Sequence, residues 1–88
     1  MTEFDLPQCV RFILAELVKL TGQATPSPED TFVDAGGDSF GAIMLTVAIE
    51  ERFSVLIDIL DVFQAESLTE LAELVVAKQA NAASPRNS

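Results

Sequence analysis

Apolar residues recur at helical spacing in three stretches of this chain, and no stretch alternates as a half-buried strand would. In the first, Leu6, Val10, Ile13, Leu14, Leu17 and Val18 share a face while Arg11, Glu16 and Lys19 fall between them. Asp5 is placed to cap this helix, Pro7 is tolerated in its first turn, and Gly22 is placed to end it. The pattern predicts a helix over residues 5–21. The second stretch predicts a helix over residues 39–53 with two apolar stripes, Ala42, Leu45, Ile49 and Phe53 on one side and Phe40, Ile43, Met44 and Val47 on another. A helix apolar nearly all round is usually fully buried. So small a bundle cannot easily cover every side of it, so the second stripe is expected to stay exposed for partners.

The third stretch follows Ser67-Leu68-Thr69-Glu70, which reads as a capping box: the Ser67 hydroxyl accepts the backbone N–H three residues on, and Glu70 bonds back. Leu68, Leu71, Ala72, Val75 and Gln79 form its inner line. Before it, Ile59-Leu60-Asp61-Val62-Phe63-Gln64 is long enough for only one or two turns closing the bundle. Residues 81–88 carry no apolar side chain larger than alanine and are expected to be a disordered tail. That leaves one domain over residues 1–80, an all-α bundle of three main helices and a short third helix.

Residues 23–38 read as a long loop, because Thr25-Pro26-Ser27-Pro28 cannot continue a helix. Loops of this length in small domains are usually functional or pinned by a core contact. Phe32, bulky in a polar stretch, is the expected pin.

Composition narrows the function. The 88 residues suit a single core, and 49% hydrophobic with 22% charged residues is globular. The net charge of −9 opposes nucleic-acid binding and favours basic protein partners, though a merely soluble acidic surface fits it as well. Cys9 is the only cysteine, which excludes an intrachain disulfide and a cysteine metal cluster; a buried structural thiol is expected. No metal site is expected. The chain opens without a basic-then-apolar signal pattern, and its longest apolar run is too short to span a bilayer, so a cytoplasmic location is expected.

The chemistry concentrates in Phe32-Val33-Asp34-Ala35-Gly36-Gly37-Asp38-Ser39-Phe40. Ser39 follows a Gly-Gly-Asp turn and opens a long helical pattern, where backbone N–H groups and the helix dipole favour an attached phosphate. Gly37-Asp38-Ser39-Phe40-Gly41 also fits the Gly-x-Ser-x-Gly nucleophile elbow. That chemistry normally takes the serine proton with a histidine, and the chain has none. No Gly-Lys-Ser/Thr follows the glycines, so it is not a Walker loop. The plainest alternative makes Asp38 and Ser39 simple helix caps.

Phe32, Gly36-Gly37, Asp38-Ser39, the following helix, Phe53 and Val62-Phe63 together resemble, in order, the phosphopantetheine-dependent acyl and peptidyl carrier proteins, over residues 6–76. The resemblance implies that Ser39 is esterified with 4′-phosphopantetheine by a separate transferase using coenzyme A, which accounts for the missing base. It implies that Asp38 helps present Ser39 and contacts the transferase, and that Gly36 and Gly37 permit a tight turn and close approach. Gly-Gly-Asp-Ser is similar to the peptidyl branch, implying an adenylation or acyl-loading enzyme and downstream condensing or tailoring enzymes of nonribosomal peptide synthesis as partners. The chain departs from the family in Phe40, where leucine or isoleucine usually follows the serine, and in Ala35, where leucine commonly precedes the glycines. Early acids are missing from the second helix, which waits until Glu50 and Glu51. Docking is therefore expected through Phe40, Ile43, Met44 and Val47. A non-catalytic, monomeric, free-standing carrier is the resulting expectation; an acyl carrier for polyketide or fatty-acid synthesis and an unmodified helical interaction module are the alternatives.

Overall fold

A computed structural model describes residues 5–22 and 26–83, with side chains through residue 80. Four helices follow in order: α1 (Leu6–Thr21), α2 (Ser39–Phe53), α3 (Ile59–Gln64) and α4 (Leu68–Ala83). The described residues contain no strand. The all-α bundle read from the apolar spacing is the observed fold, and α2 and α3 begin and end at the expected residues.

Each boundary has a local cause. The Asp5 carboxylate accepts the Gln8 N–H at 2.9 Å, and the Gln8 side chain returns the bond to the Asp5 N–H at 2.9 Å, closing a capping box on α1. Gly22 ends α1 at φ 74°, its N–H donating to Val18 O at 2.9 Å. Ser54 ends α2 in the same left-handed region, at φ 60°. Ser67 Oγ accepts the Glu70 N–H at 3.0 Å, as the box motif requires. The return bond differs: the Glu70 carboxylate takes the Glu66 N–H, because the bend through Glu66 and Ser67 turns that earlier amide toward the helix.

Helix α4 also runs to Ala83, three residues into the segment expected as a tail. Asn81-Ala82-Ala83 has no apolar stripe, but alanine needs none to remain helical. The rest of that expected tail lies outside the described residues.

The core joins one stripe from each helix. Cys9, Ile13 and Leu17 of α1, Ala42, Leu45, Ile49 and Phe53 of α2, Val62 of α3 and Leu68, Leu71, Ala72 and Val75 of α4 are all buried. Gln79 extends the α4 line and is buried too. Phe12 meets Phe53 edge-on with ring centroids 5.1 Å apart, locking the middle of α1 to the end of α2. Val18, expected on the inner face, is 39% exposed, lying at the edge of a stripe already filled by Leu14 and Leu17. No helix among the described residues is long and apolar enough to cross a membrane.

Two predictions follow from this packing. Leu45→Ala should cost about 2–5 kcal/mol in urea unfolding, whereas Met44→Ala, one residue away on the exposed stripe, should cost under about 1 kcal/mol. Burial first, and the nearby Asp5 charge second, push the Cys9 thiol above its ordinary pKa. Its contribution to stability is therefore full below the unfolded-state pKa and is lost as pH rises toward the folded-state value. The stability difference between wild type and Cys9→Ala should accordingly shrink as unfolding is measured at rising alkaline pH.

Candidate functional site

The long first loop is held at both halves. In its first half the carbonyls of Pro28 and Asp30 face the N-terminus of α4. Asp30 O accepts the Leu68 N–H at 2.8 Å, and Pro28 O accepts the Thr69 N–H at 3.0 Å and the Thr69 hydroxyl at 3.1 Å. Amides in the first turn of a helix lack intrahelical partners, and here loop carbonyls satisfy two of them. The Asp30 carboxylate accepts the Ser27 N–H at 3.0 Å, folding the segment between into a turn.

The second half contains a single helical turn. Thr31 Oγ1 accepts the Asp34 N–H at 3.0 Å, and the Ala35 N–H donates to Thr31 O at 3.0 Å. The turn ends with Gly36 N–H bonded to Val33 O at 2.9 Å and Gly37 N–H bonded to Phe32 O at 3.0 Å. Gly36 sits at φ 94°. This paired closure is a Schellman termination, and Gly36 occupies the position that demands a left-handed residue.

The two glycines thus do different things. Gly36 supplies the backbone conformation. Gly37 supplies space: a Cβ there would lie 2.3 Å from Cζ of Phe32. The Phe32 ring, 1% exposed, fills the place where a Gly37 side chain would be and reaches Gly41 as well, at 3.6 Å from its would-be Cβ. Phe32 is the pin that the loop was expected to need. Ala35, the departure before the glycines, is buried beside it.

Asp38 then caps α2, its Oδ1 accepting the Gly41 N–H at 2.8 Å. Between the two candidate caps, the cap is Asp38. Ser39 becomes the first helical residue, exposed, with no hydrogen bond to its side chain among the described residues. The backbone N–H groups of Ser39 and Phe40 also lie in the unpaired first turn, directed outward at the positive end of a 15-residue helix. A free hydroxyl beside such donors fits a covalently attached phosphodiester.

The expected second stripe of α2 is exposed: Phe40 at 68%, with Ile43, Met44 and Val47 outward below it. The first turn of α2 contains no acidic residue. Leu56, at 71% exposed, and Ile59, Leu60 and Phe63 of α3 are outward as well, which the spacing did not single out. A six-residue helix can bury only one face, and Val62 takes it, so the length of α3 was the available signal. A cleft of about 300 Å³ lined by Gln8, Arg11, Phe12, Arg52 and Phe53 lies at the other end of α2 from Ser39. No three potential metal ligands cluster among the described residues.

A four-helix bundle that holds a bare serine at the head of its second helix is the build of a carrier domain. The family model described as the phosphopantetheine attachment site matches residues 10–75, and the chain belongs to that family. Its cofactor is 4′-phosphopantetheine, bound covalently, and such domains carry the group for modifying and partner enzymes without being catalytic themselves. Neither a curated protein nor a solved structure showed a significant match.

Gly37→Ala should force the Phe32 ring aside and cost about 1–3 kcal/mol. Asp38→Ala, which removes only the cap, should cost about 1 kcal/mol. Urea unfolding measures both, and a change in ring-current shifts at residues around Phe32 in Gly37→Ala alone would separate the two mechanisms.

Proposed function

We propose that Ser39 is the residue esterified by phosphopantetheine and that the chain is a carrier of peptidyl type, serving an assembly pathway of the nonribosomal kind. The observation that carries the first part is the free, exposed Ser39 hydroxyl at the start of α2, inside the matched region. The chain has no histidine, the usual base for a serine hydroxyl. A partner transferase must therefore accept the serine proton as the new O–P bond forms and the nucleotide half of coenzyme A leaves. The role of this chain is presentation. Gly36 and Gly37 let the turn close over the Phe32 ring, Asp38 fixes the first turn, and the unpaired amides of Ser39 and Phe40 favour the phosphate charge. When bound, the arm supplies a terminal thiol on which an aminoacyl or acyl group is held as a thioester.

The peptidyl assignment rests on the docking face. Phe40, Ile43, Met44 and Val47 form an apolar stripe beside Ser39 with no acid in the first turn, so a partner grips by burial and not by ion pairing. The net charge of −9 then acts at long range, raising encounter rates with basic partners. That same charge is the feature that favours the acyl-carrier alternative.

Incubation with coenzyme A and a promiscuous phosphopantetheinyl transferase should add one phosphopantetheine to wild type and none to Ser39→Ala, read by intact mass. Addition to both would move the site away from Ser39, and addition to neither would sink the assignment. Mass analysis of the group subsequently loaded on the thiol, amino acid or simple acyl, decides between the two carrier types.

A further inference from the structure

The turn that presents Ser39 rests on the Phe32 ring, and the ring itself needs something to fix its tilt. Its Cζ, Cε1 and Cε2 lie 2.3–2.5 Å from the would-be Gly37 Cβ. Small rotations of the ring are therefore felt directly by the Gly37 backbone. On the other side of Ser39, the ring backs Gly41, the residue whose N–H receives the Asp38 cap. Both flanks of Ser39 thus lean on one side chain.

Phe63 of α3 meets that side chain edge-on, with ring centroids 5.4 Å apart and planes at 84°. An edge-to-face contact of this kind is orientation-dependent and is worth more than its buried area. Phe63 is otherwise poorly explained by the core. It is 39% exposed, whereas Val62 beside it is fully buried and is the side chain by which α3 joins the interior. A core residue would turn inward; a pure surface residue would not be aimed at Phe32.

We propose that Phe63 is a positioning residue for the modification of Ser39: its ring edge sets the Phe32 ring, and through Gly37 and Gly41 it sets the turn from which Ser39 is presented. The proposal rests on the reading of Ser39 as the attachment residue. It assigns to α3 a role in handling the serine, through the Phe63 ring, that is separate from the Val62 anchor and from any contact with a partner.

The test compares wild type, Phe63→Leu, Phe63→Tyr and Leu60→Ala by two measurements. One is amide hydrogen exchange in the free protein at Gly37, whose N–H donates to Phe32 O, with the Leu45 amide of the α2 core as reference. The other is the initial rate of phosphopantetheine addition from coenzyme A by the transferase. Phe63→Leu should speed Gly37 exchange by about 3–10-fold and slow modification by a similar factor, with Leu45 unchanged. Phe63→Tyr keeps the ring edge and should restore both. Leu60→Ala, on the same helix, should leave Gly37 exchange at the wild-type value. A Phe63→Leu protein that is modified slowly while Gly37 exchange stays unchanged would make Phe63 a docking contact and overturn the proposal, as would no change in either. Wild type that takes no phosphopantetheine would break the Ser39 reading instead, and Gly37 exchange would still decide whether Phe63 holds the turn.

Discussion

The seating of one phenylalanine ring governs the architecture around the serine. Phe32 comes from a loop, yet it is as buried as any helix residue, and it packs where a side chain on Gly37 would have to go. A sixteen-residue connection would normally sample many conformations, at a backbone entropy cost of about 1–2 kcal/mol for each residue that is ordered. Here the ring anchors the half nearest Ser39, and the amides of α4 anchor the half nearest the prolines. Those two anchors differ in kind. The first is apolar and depends on shape, while the second satisfies donors that α4 would otherwise leave to solvent.

This division explains which features were visible in the residues themselves. Helices α1 and α2 carry strong spacing, and their limits were legible where a local residue marks them: Asp5 and Gly22 for α1, Asp38 for the start of α2. Phe32 was legible as a pin because an aromatic in a polar stretch has few other uses. The carbonyls of Pro28 and Asp30 were not legible, since every residue has a carbonyl and nothing in its side chain says that it will be used. The end of α4 was missed for a related reason. Asn81-Ala82-Ala83 lacks an apolar stripe, but helix continuation there needs only propensity.

The site divides in the same way. Ser39, Asp38 and Gly37 could be singled out because spacing and residue type restrict what they can do, yet the separate tasks of Gly36 and Gly37 emerge only from the bonds at Val33 and Phe32. The outward positions of Leu60 and Phe63 depend on how little of α3 the core can accept. Together with the α2 stripe these residues leave large apolar side chains exposed on an acidic chain.

Because Ser39 and the stripe of Phe40, Ile43, Met44 and Val47 belong to one continuous helix, their mutual placement is fixed by helical geometry alone. Val47 lies eight residues beyond the serine, about 12 Å along the axis at the usual rise. On the docking proposal above, a protein seated on this stripe would thereby have measured the distance and direction to the hydroxyl, with no hinge between grip and target. On that proposal helix α2 is a ruler, one address on the chain read by different partners on the same scale.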